Sequence, residues 1–61
     1  MLSRAERSEL QQRLASRGFD PGSADGTMGQ KTRIAVREFQ VSVGMLPDGH
    51  PTGDVLDRLR N

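Results

Sequence analysis

The residues with usable chemistry gather around Asp25-Gly26-Thr27-Met28-Gly29-Gln30-Lys31-Thr32-Arg33-Ile34-Ala35-Val36-Arg37-Glu38-Phe39-Gln40, where a glycine-bounded turn runs directly into a patterned helix. Its exposed fringe is Thr27, Lys31, Arg33 and Arg37. Hydroxyl, ammonium and guanidinium groups of this kind bind carboxylates, amides and hydroxyls. Catalysis has less to stand on. The single histidine, His50, lies between Gly49 and Pro51 with no second histidine at metal spacing, so no zinc site is expected. No serine sits in a nucleophile elbow, and a core this small can hardly shape a closed catalytic cleft. A calcium loop fails on register: with Gly26 as the invariant glycine, Pro21 takes the first ligand position and Thr32 replaces the bidentate glutamate. The expectation is no catalytic residue, no metal and no cofactor.

Three helices must position these groups. The first should begin at the capping box Ser3-Arg4-Ala5-Glu6 and stop near Gly18, with Leu10 and Leu14 as its buried stripe. Arg4, Arg7, Glu9, Arg13 and Arg17 are assigned to solvent. Gly18-Phe19-Asp20-Pro21-Gly22-Ser23-Ala24-Asp25-Gly26 is too rich in Gly, Pro and Asp for regular structure, and Phe19 should pin it to the core. The second helix should run from about Gln30 to Val43, carrying core through Ile34, Ala35, Val36, Phe39 and Val43, and end at Gly44. After the turn-rich Met45-Leu46-Pro47-Asp48-Gly49-His50-Pro51, Thr52 should cap a short third helix that packs through Val55, Leu56 and Leu59. The expected fold is an all-α, small three-helix bundle with two long Gly/Pro/Asp-rich loops.

Size and charge narrow the classes further. With 61 residues the chain can hold one small core, so residues 1–61 are expected to be one domain. No Cys is present, so packing, caps and turns must supply the stability. Nine Lys and Arg against eight Asp and Glu leave +1, too little to argue for phosphate-backbone binding. No run approaches the roughly 20 apolar residues needed to span a bilayer, and the charged N-terminus carries no export signal.

An internal echo supports the division. Leu10-Gln11 with Leu14, Gly18 and then Asp25-Gly26 is paralleled by Phe39-Gln40 with Val43, Gly44 and then Asp48-Gly49. Each unit is helix, glycine stop and Asp-Gly turn. Asp25 and Asp48 should accept backbone N–H bonds in their own turns, and Gly26, Gly29 and Gly49 should provide left-handed or close-packed backbone. Gln11 and Gln40 are suited to fixing helix-to-loop geometry, and Thr32 to capping or back-bonding within its own helix.

These elements together resemble the peptidoglycan-binding domain of the small three-helix type found on bacterial cell-wall enzymes. The resemblance rests on Leu10-Gln11 with Leu14, Gly18-Phe19-Asp20-Pro21-Gly22, Asp25-Gly26 with Gly29, Lys31-Thr32-Arg33 with Ala35-Val36, Phe39-Gln40, and Gly44 followed by Asp48-Gly49. The ending Asp48-Gly49-His50-Pro51-Thr52 with Val55-Leu56-Asp57-Arg58-Leu59 is similar to the C-terminal module of lytic murein transglycosylases. There are departures: Met45 stands where the family usually has leucine, the Gly44 to Asp48 spacing is compact, and Gly53-Asp54 replaces the usual proline-glutamate at the third helix.

The resemblance implies a noncatalytic module that anchors an attached cell-wall-degrading enzyme to peptidoglycan, in the periplasm or cell envelope, as a monomer within a larger chain. It implies no nucleic-acid partner and no membrane insertion. With no Trp or Tyr to stack on sugars, the stem peptide or muropeptide is the expected ligand rather than bare glycan. Asp20, Ser23, Thr27, Lys31, Arg33 and His50 are the expected ligand-binding residues, in a groove beside the two loops. Two rivals remain: a three-helix DNA binder, whose turn is normally shorter than this first loop, and a protein-docking module. A metalloproteinase prodomain of similar fold would need a cysteine switch.

Overall fold

Ser3 starts the first helix as a reciprocal cap: its Oγ accepts the Glu6 N–H at 3.1 Å, and Glu6 Oε1 accepts the Ser3 N–H at 2.8 Å. In the computed structural model, which describes residues 1–61, this helix is α1 (Arg4–Ser16), followed by α2 (Gln30–Ser42) and α3 (Gly53–Arg60), with no strand. Thr52 Oγ1 accepts the Val55 N–H and caps α3. Both longer helices end in the same way. Phe19 N–H donates to the Leu14 carbonyl and Gly18 N–H to Ala15 after α1; Met45 N–H donates to Gln40 and Gly44 N–H to Val41 after α2. Each stop is a Schellman motif with its glycine in the left-handed region, φ 89° at Gly18 and 75° at Gly44.

Nine apolar side chains form one core: Leu2, Leu10 and Leu14 from the N-terminal segment, Ala35, Val36 and Phe39 from α2, and Val55, Leu56 and Leu59 from α3. Phe19, Val43 and Met45 pack around it. Phe19 pins the first loop as expected, its ring edge-on to Phe39 at 6.0 Å between centroids. Leu2 and Met45 were not among the expected core positions. Ile34 was, and it is half exposed. It lies two residues from both Thr32 and Val36, about 200° round the helix from each, so α2 turns it away from the face that buries them.

The polar residues of α1 are also less free than expected. Glu9 accepts from Arg13 at 2.7 Å along its own helix and, in a two-point contact, from Arg60 at 2.8 and 2.7 Å, tying α1 to the end of α3. Arg17 stands over the Phe39 ring, 5.3 Å from its centroid, and donates to the Arg58 and Leu59 carbonyls that α3 leaves unpaired. Arg60, then Arg13, hold the Glu9 carboxyl down at about 2. A depressed carboxylate contributes stability above its unfolded pKa and loses it as pH falls through the folded value. Between about pH 5 and pH 2 the thermal midpoint of the native chain is therefore expected to fall further than that of Glu9→Gln, followed by circular dichroism. Parallel curves would mean that Glu9 carries no such coupling.

Candidate functional site

Two glutamines hold the loops. Gln11, fully buried on α1, accepts the Gly26 N–H on Oε1 at 2.8 Å and donates through Nε2 to the Thr27 carbonyl at 2.8 Å and Thr32 Oγ1 at 3.0 Å. Thr32 in turn donates to the Pro21 carbonyl at 2.7 Å. Thr32 therefore does not back-bond within α2; its hydroxyl is 11 residues from its acceptor and fastens the first loop. Gln40 repeats the arrangement in the second loop, accepting the Gly49 N–H at 2.8 Å and donating to Asp48 Oδ1 at 2.9 Å. Every buried side-chain N and O atom has a partner, as a core this small requires.

The turns themselves match. Asp25 Oδ1 accepts the Thr27 N–H, and Asp48 Oδ1 accepts the His50 N–H, both at 2.9 Å. The His50 N–H bond, then the Gln40 amide, hold the Asp48 carboxyl below the usual range. Gly26 (φ 84°) and Gly49 (φ 74°) occupy equivalent left-handed positions. Gly29 differs from the expectation: its φ is −87° and a Cβ there would meet nothing, so it serves as an ordinary helix N-cap.

The residue after each Asp-Gly, Thr27 in the first turn and His50 in the second, lines one groove of about 770 Å³. The N-terminal segment lines it through Met1, Leu2, Arg4 and Arg7, the first turn through Gly26 and Met28, and the approach to α3 through Pro51, Thr52 and Gly53. A smaller hollow of about 250 Å³ shares Thr27 with the groove and has Ser23 and Lys31 in its lining. Asp20 joins this hollow through Lys31, 3.0 Å away in an exposed ion pair. Its carboxyl is lowered first by the Gly22 N–H and then by Lys31. Of the six expected binding residues, Asp20, Ser23, Thr27 and Lys31 thus come together, His50 joins them through Thr27, and Arg33 lines neither hollow. Arg33 instead presses its carbonyl oxygen against the second turn, 3.2 Å from where a Cβ on Gly49 would stand.

Arg4 and Arg7 are the groove residues that sequence reasoning missed. Arg7 donates to the Gly26 carbonyl at 2.7 Å and the Leu2 carbonyl at 2.9 Å, and Arg4 to the Asp25 carbonyl at 3.1 Å. A signal was available: both cations sit in the first turn of α1, the positive end of the helix dipole, where carboxylates are the favoured charge. A local rule broken twice within four residues marks a position with another task.

The fold and the loops define a small all-α domain of three helices with two matched Asp-Gly turns. Residues 3–59 match the family model described as "Putative peptidoglycan binding domain", and the chain belongs to that family. It is also similar to solved structures of SltB3 from Pseudomonas aeruginosa. The complex with NAG-anhNAM-pentapeptide gives a TM-score of 0.96 at 52% identity over 100% of this chain. The complex with NAG-NAM-pentapeptide gives 0.95 at 53% over 98%. The chain spans 16% of the length of either SltB3 chain. No curated protein gives a significant match.

Proposed function

We propose that residues 1–61 are a noncatalytic module that holds an attached cell-wall-degrading enzyme, a lytic murein transglycosylase, on peptidoglycan in the periplasm or cell envelope. The observation that carries this reading is membership of the peptidoglycan-binding family across residues 3–59. The likeness to SltB3, solved with sugar–pentapeptide ligands, supports the choice of parent enzyme.

The stem peptide lies along the loop face, from Asp20, Ser23 and Lys31 across Thr27 to His50. Arg33 adds a cation at the edge of this face. Such contacts are shallow and polar, so single-site affinity is modest, and repetition of the ligand along the wall polymer raises the bound fraction by avidity. The chain acts as a monomer within its parent and takes no cofactor. Its near-neutral charge and its long first loop separate it from a helix-turn-helix DNA binder.

Purified sacculi are expected to pellet the 61-residue chain, with chemical-shift changes from soluble muropeptides centred on Thr27, Lys31 and His50. Shifts confined to the exposed face of α2 around Ile34 and Val41 would overturn the placement. Failure to pellet, with salt-dependent binding to duplex DNA, would overturn the function.

A further inference from the structure

The larger groove has cations without anions. The three ion pairs of the molecule are Glu9–Arg13, Glu9–Arg60 and Asp20–Lys31, and neither Arg4 nor Arg7 belongs to any of them. Both are held by neutral carbonyl oxygens instead. Arg4 uses only Nε, and Arg7 uses Nε and Nη1. Both Nη groups of Arg4 and the Nη2 of Arg7 are left without a protein partner. Arg4, fixed through its inner Nε and open at both outer nitrogens, presents the fork that a carboxylate fits, and the open Nη2 of Arg7 adds a further donor.

No acidic residue lines the groove, and two acids close to these arginines in sequence or in the turn they hold are otherwise engaged. Glu6 is turned back into the capping box, and Asp25 is occupied with the Thr27 N–H. The dipole of α1 adds to the positive potential at the same end. Leu2, Met28 and Pro51 give the lining apolar surface, and its other polar side chains are those of Thr27, His50 and Thr52. No aromatic side chain lines the groove. The occupant that satisfies this set has one carboxylate next to small apolar side chains.

We infer that Arg4 and Arg7 capture the free C-terminal carboxylate of an uncross-linked stem peptide, with its terminal alanyl methyl groups against Leu2, Met28 and Pro51. This rests on the peptidoglycan-binding reading and deepens it. Cross-linking through that end breaks the bond to the terminal D-alanine, which leaves with the carboxylate, and the carbonyl left behind becomes an amide that has neither the charge nor the second acceptor oxygen. The module therefore prefers open stem ends to closed ones, and reports to its parent enzyme where the wall is least bridged.

The test titrates the 61-residue chain with diacetyl-Lys-D-Ala-D-Ala and with its C-terminal amide, followed by amide chemical shifts. The acid is expected to bind about ten-fold more tightly than the amide, with shifts at Arg4, Thr27 and Met28. Arg4→Gln should remove that preference and Arg4→Lys restore part of it. Equal binding of acid and amide would overturn the inference, even if sacculi still pellet the chain. So would inorganic phosphate that displaced the acid at equal concentration, because the groove would then be a general anion site. Binding of neither peptide, with pelleting intact, would also overturn it and leave the family function standing. Loss of pelleting as well would overturn both.

Discussion

Gly26→Ala is expected to cost about 3 kcal/mol, on the order of half the stability of a domain this size. Two terms add. The residue sits at φ 84°, where any Cβ brings it against backbone for about 1–2 kcal/mol. The Cβ would also stand 2.6 Å from Arg4 Cγ and 2.8 Å from the Arg4 carbonyl oxygen. The side-chain carbon can move, but the oxygen belongs to the first turn of α1 and cannot withdraw without opening the capped start of the helix. Gly49→Ala should cost less, since its nearest backbone atom, the Arg33 oxygen, is 3.2 Å away at a similar φ of 74°. Gly29→Ala should cost no more than about 1 kcal/mol, having a negative φ and open space. Urea unfolding of the three variants gives the order directly. Equal losses at positions 26 and 29 would mean that the loop relaxes away from α1 and that the close approach is not a constraint.

Where the sequence was legible, the cause was short-range. Caps, glycine stops and the apolar spacing of α3 are encoded within three or four residues of the atoms they govern, so Ser3, Gly18, Gly44, Thr52 and Leu56 could be placed from neighbours alone. The Asp-Gly turns were legible for the same reason. What escaped was set by partners far along the chain. Thr32 looked like a residue with a local hydroxyl bond, yet its acceptor is Pro21 and its donor Gln11, 21 residues away. Arg4 and Arg7 looked solvated because the turn that holds them is far along the chain, through the Asp25 and Gly26 carbonyls, with Leu2 adding only a nearer second acceptor to Arg7. Ile34 was misassigned for a different reason. Two apolar stripes can be drawn through α2, and hydropathy does not say which one meets α1. The candidate site divides in the same way. Lys31 and Asp20 were recoverable as polar loop-edge groups, whereas the groove between the two turns exists only once the loops lie side by side.

Gln11→Leu is expected to destabilise the chain by about 2–3 kcal/mol, and Gln40→Leu by less, although the two glutamines do parallel work. Leucine fills a similar volume, so little of the loss comes from a cavity. The loss comes from stranding the groups that the amide served. Removal of Gln11 leaves the buried Gly26 N–H with no acceptor and strips Thr32 Oγ1 and the Thr27 carbonyl of their donor. A stranded buried donor costs about 1–3 kcal/mol, whereas the Thr27 carbonyl, on an exposed residue, can turn to water. Removal of Gln40 strands one buried N–H, that of Gly49, and releases Asp48, which keeps the His50 N–H and is exposed. Hydrogen exchange separates the two effects, with the Gly26 amide losing protection in the first variant and the Gly49 amide in the second. Unchanged protection of Gly26 in Gln11→Leu would show that the backbone, and not the glutamine, fixes the turn. Because Thr27 and His50 reach the same groove from these two turns, each variant should also blunt the muropeptide response on its own side before the fold is lost. In that sense each glutamine joins the stability of the bundle to the shape of its ligand face.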